Sequence, residues 1–418
     1  MAASPRYRPS PGRADHTTVR RSNLSLVLRH LRDAGPRSRA RLAEETGLNK
    51  ATVSSLVADL VERGLVAEGE IHRAGSVGRP GLIVELDGRG VAGIGLELNV
   101  DYAAALVLDL RGDVLFERRI SLDVPNAGVD RTLDCLGDLA AEAVAAATAA
   151  GAQPVGLTVA IPGLIETERG LVSFAPNLRW RDVAVAEALG IRLQRPAFPI
   201  RIENDANLSA LAEWSMGSAA GTPDLVYLTG EVGVGGGVIV AGQLLRGASG
   251  LSGEVGHLPL KQDGHLCGCG RRGCWETMVG LHALLRMAAP PSDPVHDPSL
   301  DLERRLAEIV RRAEARDERT VSALHQVGTG LGIGAGVLVN LFNPRVLVLG
   351  GYFAVVWPHI IEPLMAELRT QVVGAEIASV RIEMSRLGFT AAVRGGAYIA
   401  LEQVLDDPAL VATRQVAK

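Results

Sequence analysis

The sequence predicts an α/β chain: a small helical unit at the amino terminus, then a much larger part in which strands and helices alternate. Three observations carry that prediction. Two short amphipathic segments meet at Gly47, the second opening with small polar residues. Strand-length apolar runs begin at Val91, and a comparable order of runs returns after Asp224. With 418 residues, 47% of them hydrophobic, the chain has room for about two to three domains with sizeable cores.

Residues 1–18 combine Pro, Ser and Arg without periodicity and are expected to form a disordered arm; the small unit then spans 19–88. Its first helix is predicted over 23–33, where Leu24, Val27, Leu28 and Leu31 share a face. Ser38 is the N-cap of a second helix, which Gly47 ends with a tight turn. The third is predicted over 49–61, with Val53, Leu56, Val57 and Leu60 as its buried stripe and Gly64 closing it. Two short helices about a glycine turn match a helix-turn-helix. That motif would set Asn49, Lys50, Thr52, Ser54 and Ser55 against the major groove or flanking phosphates of DNA. The runs 65–68 and 82–86 suit the strands of a β-hairpin wing. Between them, the segment 75–81 carries Arg79 in a thin cationic finger, either a minor-groove probe or an ordinary interdomain turn.

Charge distribution supports the same division. The net charge of −4 argues against a general nucleic-acid binder, yet ten arginines and few acids lie between Arg6 and Arg41. No apolar run has membrane-spanning length, and no apolar segment follows the amino-terminal arginines as in a signal peptide. Three of four cysteines are clustered and Cys135 is remote, which does not make a disulfide framework and fits a reducing cytoplasm.

In the larger part, strands are expected over 91–98, 102–110 and 114–122, an Ala-rich helix over 130–150, and a buried strand over 155–161. Strands at 225–229, 236–241 and 346–349 repeat the order, and long helices at 302–316 and 360–373 suit core packing or assembly.

The segment from Glu254 to Glu276 carries the clearest chemistry. Cys267, Cys269 and Cys274, with one of two histidines, make an N1S3 donor set suited to tetrahedral zinc. Four protein ligands leave no position for a metal-bound water, so such a zinc is structural. Glu254 and Glu276 remain free to accept hydrogen bonds from another molecule.

The motif Cys-x-Cys-Gly-x-x-Gly-Cys-x-Glu after Glu-x-Gly-His resembles the signature of the ROK proteins (repressors, open reading frames and sugar kinases), a likeness that extends over about residues 91–405. It selects His257 over His265 as the nitrogen ligand. It also implies a duplicated actin-like (ASKHA) domain of two lobes over 89–405, preceded by a winged helix-turn-helix and followed by a tail at 406–418. By the same resemblance Asn204, Asp205, Glu254, His257 and Glu276 line a sugar pocket, and loops at 161–163 and 175–178 adjoin it. A carboxylate can accept two hydroxyl protons and an amide can both donate and accept, as sugar recognition requires.

The phosphate side departs from the family. Kinases of this family have an Asp and then Gly-Gly-Thr where this chain has Glu97-Leu98-Asn99-Val100-Asp101-Tyr102, and Glu231 stands in the second glycine loop where they have a small residue or Thr. Bulk and negative charge replace the bare backbone N–H groups that phosphates need. The expected function is therefore a cytoplasmic, sugar-responsive transcriptional regulator, most simply a repressor of carbohydrate genes. It would bind operator DNA as a homodimer or tetramer, without a membrane and without being an enzyme. The alternatives are a sugar kinase that keeps Asp205 as its base, and a regulator that answers to a protein.

Overall fold

The computed structural model describes residues 16–69, 82–248, 250, 252–297, 300–374 and 380–413. Helix α1 (His16–Ala34) begins earlier than its apolar periodicity indicates. His16–Thr18, expected in the disordered arm, are thus helical. The following turn is held by Arg20, which pairs with Asp59 at 2.8 Å, and by Arg21, which pairs with Asp407. Residues 1–15 and the Arg79 finger lie outside the described residues.

Helices α2 (Arg39–Thr46) and α3 (Lys50–Glu62) are capped as their sequences dictate. Ser38 accepts a hydrogen bond from the Arg41 N–H, and Asn49 accepts one from the Thr52 N–H. Gly47 adopts φ 72°, the left-handed conformation that lets the chain turn sharply between them. Strands β1 (Arg37–Ser38), β2 (Val66–Gly69) and β3 (Ile83–Leu86) form an antiparallel sheet in the order β1-β3-β2, so the two runs after α3 make the wing.

Beyond it, lobe 1 is a five-stranded sheet of β4 (Val91–Leu98), β5 (Tyr102–Asp109), β6 (Val114–Ser121), β7 (Gln153–Ile161) and, after three short strands β8 (Leu164–Glu166), β9 (Leu171–Ala175) and β10 (Trp180–Val183), β11 (Ile200–Asn204). Lobe 2 holds β12 (Leu225–Gly230), β13 (Val234–Val240), β14 (Gln243–Leu244), β15 (Val346–Gly351) and β16 (Arg381–Met384). The orders are β11-β7-β4-β5-β6 and β16-β15-β12-β13-β14, one topology used twice. The helix Glu318–Phe342, the one helix among the described residues long and apolar enough to cross a membrane, is a core helix of lobe 2, packed against Trp357–Gln371. That second helix and Leu302–Glu314 direct their apolar faces into the same core.

Two helices join the lobes. Ala391–Asp406 lies on the lobe 1 sheet, Asp205–Ser215 lies on the lobe 2 sheet, and the two pack on each other. Glycines set how closely. A Cβ on Gly95 would come within 1.9 Å of the Val393 carbonyl, and one on Gly237 within 2.5 Å of the Ala210 methyl. Between the helices, a Cβ on Gly395 would lie 2.0 Å from the Leu208 carbonyl. Of the glycines in the 230–237 segment, Gly235 and Gly237 thus form the seat of the helix Asp205–Ser215.

The helix-turn-helix unit shares a hydrophobic core with this scaffold: Leu24, Leu28, Leu56 and Leu60 cluster with Leu106, Leu108, Leu401 and Leu405. The chain after Asp406 turns back onto that unit, with Val411 buried in the same cluster. Leu56→Ala would open a cavity there and should cost about 2–5 kcal/mol in urea unfolding. A loss below about 1 kcal/mol would mean that the shared core is not close-packed.

Candidate functional site

The cleft between the lobes is built from the carboxyl end of β11 upward. Asn204 caps the helix Asp205–Ser215 through its side-chain oxygen, accepting from the Asn207 N–H at 3.1 Å, and its amide donates to the Gly163 carbonyl at 3.2 Å. That double tether aims Asp205, the first helical residue, into the cleft. Behind it the buried Glu203 accepts from the Asn204 N–H and from Asn207 Nδ2, and Arg246 of lobe 2 donates to it at 3.1 Å. A cavity of about 80 Å³ is lined by Asn204, Asp205, Glu254, His257 and Glu276, all five residues expected there, together with Asn99, Asn177, Glu231, Gly235 and Gly236.

Carboxylates dominate the electrostatics. Burial pushes Asp205 up to about 6. Burial, then the neighbouring Asp205 and Glu276, push Glu254 up to about 7. No lysine or arginine lines the cavity among the described residues. A surface of carboxylates and amides, short of cations, can hold many hydroxyl groups and repels phosphate.

The altered phosphate loop has become a buried hydrogen-bond chain that sequence reasoning did not foresee. Asn99 donates to the Glu231 carboxylate of lobe 2 and to the Tyr102 hydroxyl, and Tyr102 in turn donates to Glu97 at 2.5 Å. Glu97 is 1% exposed, and burial pushes it up to about 7. Glu231, read from sequence as a charge opposing phosphate, is thus a half-buried partner of Asn99, its pKa driven up by desolvation and by Glu97. The available signal was the coincidence of Glu97, Asn99 and Tyr102 in one strand–turn–strand with Glu231 in the facing loop.

The donor set for a metal is assembled beside the cleft. His257, Cys267, Cys269 and Cys274 bring one ligand atom each to within 4.8 Å of one another. The Cys267 sulfur lies 3.5 Å from His257 Nδ1, and the Cys269 and Cys274 sulfurs are 3.6 Å apart. Such spacings suit donors about 2.0–2.3 Å from a shared tetrahedral ion. His257 Nδ1 faces the thiols, while Nε2 lies 3.8 Å from Glu254 on the cleft side. The segment is anchored by Trp275, fully buried, whose indole N–H donates to the Gly330 carbonyl at 2.8 Å.

At the other end of the molecule, α3 exposes Asn49, Lys50 and Ser55, with Thr52 and Ser54 half-buried. The Asn49 side-chain oxygen is committed to the cap, and Ser55 accepts from Arg20 at 3.3 Å.

Residues 93–403 match the profile of the ROK family, and residues 25–74 that of the MarR family. The xylose repressor of Bacillus spizizenii is 32% identical over 394 residues, which span 94% of this chain and 98% of that protein. A solved ROK family transcriptional regulator, a homologue of the E. coli MLC protein, aligns with a TM-score of 0.75 at 25% identity, covering 94% of this chain and 98% of that one. A ROK family glucokinase from Streptomyces griseus, solved with glucose and AMPPNP, aligns with a TM-score of 0.63 at 27% identity; it covers 74% of this chain and 99% of the kinase. The chain belongs to the ROK family.

Two predictions follow from the site's chemistry. Cys269→Ser replaces a thiolate donor, so bound metal measured by plasma mass spectrometry should fall from about one per chain to near none; full retention would refute the donor assignment. For Asp205, the folded carboxyl titrates near 6 and the unfolded one near 3.8, so the folded state holds the extra proton between those values and loses stability as pH rises through them. Asp205→Asn should therefore raise the melting temperature at pH 7, by a margin that vanishes toward pH 4. An Asn variant less stable at pH 7 would contradict the burial of this charge.

Proposed function

We propose that the protein is a sugar-responsive transcriptional repressor. Its winged helix-turn-helix binds operator DNA, and an uncharged sugar in the interlobe cleft is the effector. One observation carries this reading: a cleft of carboxylates and amides, with no lysine or arginine lining it among the described residues, lies on the same chain as a helix-turn-helix whose second helix is exposed. The similarity to a xylose repressor over nearly the whole of both chains supports it.

Each group has a task in this account. Asn204 and Asp205 come from lobe 1, and Glu254, His257 and Glu276 from lobe 2, so one sugar ring touches both lobes and favours their closure. His257 Nε2 faces the sugar while Nδ1 and the three thiols hold zinc. The zinc is structural, and when bound it supplies a rigid crosslink that fixes the His257 ring and the Glu276 turn. A phosphoryl group on the ligand would meet Glu231, with Asp101 just beyond Val100; this disfavours sugar phosphates and ATP alike. Asp205, which a kinase of this fold would use as its base, here only accepts a hydroxyl hydrogen bond.

At the DNA end, Lys50 neutralises a phosphate at the amino terminus of α3, and Thr52, Ser54 and Ser55 face the groove. Arg79, on the wing, enters the minor groove. Operators of paired half-sites require at least a homodimer. The protein works in the cytoplasm, where thiols stay reduced for the metal.

Fluorescence anisotropy on the DNA upstream of the protein's own gene tests the reading, first with protein and then with a panel of aldoses and their phosphates. One uncharged sugar should release the DNA and its phosphate should not. Lys50→Ala should weaken binding and lower the salt slope by about one. DNA that no sugar releases would move the signal to a protein partner, and sugar-dependent ATP turnover would restore the kinase reading.

A further inference from the structure

The joint between the lobes and the seat of the DNA-binding unit are the same helix. Ala391–Asp406 starts against the strand that leads into the cleft, where a Cβ on Gly95 would come within 1.9 Å of the Val393 carbonyl. Its middle crosses the helix Asp205–Ser215, with Gly395 against the Leu208 backbone, and that partner helix begins at the cleft residue Asp205. The far end carries acids that meet arginines of α1. Arg29 pairs with Glu402 at 2.8 Å and with Asp406 at 2.5 Å, and Arg32 pairs with Glu402. Just past the helix, Asp407 takes Arg21, and Arg63 at the end of α3 donates to the Val411 carbonyl at 2.5 Å. Between these ion pairs, Leu401 and Leu405 share a core with Leu24, Leu28 and Leu31.

We propose that Ala391–Asp406 is the lever through which the cleft sets the pose of the DNA-binding unit, with Glu402 and Asp406 as the clamp that holds α1. This rests on the sensor reading above and adds the route. Closure of the lobes loads the crossing of the two joint helices, because each is seated on a different sheet. No slack is available at their crossing, where glycine is required for the observed approach. A displacement of Ala391–Asp406 then moves α1 through the clamp, and α3 moves with α1 because the two share a core and the Arg20–Asp59 pair. Glu402 and Asp406 touch neither sugar nor DNA in this scheme and act by position alone.

The test is the E402Q/D406N variant of the full chain, with D-xylose as the probe because the Bacillus relative is named for that sugar, followed by the best sugar of the aldose panel. Three quantities are measured: sugar affinity by calorimetry, operator affinity without sugar, and the factor by which sugar weakens operator binding. The lever predicts sugar affinity within twofold of the unmodified protein, operator affinity at least fivefold weaker, and a coupling factor close to one. The charge-exchanged variant R29E/R32E/E402R/D406R should recover at least part of both losses. A clamp variant that keeps the full coupling factor overturns the proposal.

Failure of the sensor reading is distinguishable: the unmodified protein itself would then show no sugar effect on DNA. The clamp is in that case judged on operator affinity alone, and an unchanged value rejects it. Gly395→Ala, far from clamp, sugar and DNA, guards against a clamp variant that does not fold. It should shift operator affinity at least threefold, and no shift in a folded Gly395→Ala protein rejects the joint as part of the route.

Discussion

The close crossing of Asp205–Ser215 over Ala391–Asp406 is the constraint on which the rest of the molecule depends. Glycine allows it at three levels: Gly93 and Gly95 under one helix, Gly235 and Gly237 under the other, and Gly395 between them. Each close approach removes a side chain that would hold the layers apart, so the lobes meet with their helix backbones nearly touching. The cleft stands at the start of one helix and the DNA-binding unit rests on the end of the other. Ligand geometry and DNA geometry are therefore written on two bodies that cannot move independently without unpacking their contact.

The cleft carries an electrostatic cost that packing elsewhere must offset. Asp205, Glu231 and Glu254, with Glu97 behind them, lie close together where burial penalises their charge. A scaffold selected for stability alone would not gather them. Hydroxyl groups of a bound sugar would replace the lost water with donors at fixed positions, which gives the effector a differential affinity for the closed form. Binding of such an effector would then shift an equilibrium through differential affinity alone.

Much of this was legible in the sequence, and the reasons differ by element. The helix-turn-helix was readable because its signals are local: Ser38 as a cap, Gly47 as the turn, and a stripe of apolar residues at helical spacing, although the capping role of Asn49 emerged only in the structure. The metal donors were readable because thiols at short spacing have few other uses, although the choice of His257 over the nearer His265 needed the family resemblance. The start of α1 was missed because the turn that follows it is held by Asp59 and Asp407, which lie outside the helix's own periodicity. The chain beyond Asp406 read as a tail because a stretch too short to show periodicity gives no sign of what it packs on. Glu97, Asn99 and Tyr102 were seen only as a phosphate loop lost. Their role as a buried chain reaching Glu231 depends on two loops from different lobes facing each other.

The central claim is that cleft and operator site are thermodynamically coupled, and linkage offers the most direct test. Sugar affinity should be measured by calorimetry with the protein free and with it saturated by operator DNA. The account predicts that operator weakens sugar binding by the same factor by which sugar weakens operator binding. Identical sugar affinity in the two states would contradict it, and would leave the cleft and the DNA-binding unit as two functions that merely share a chain.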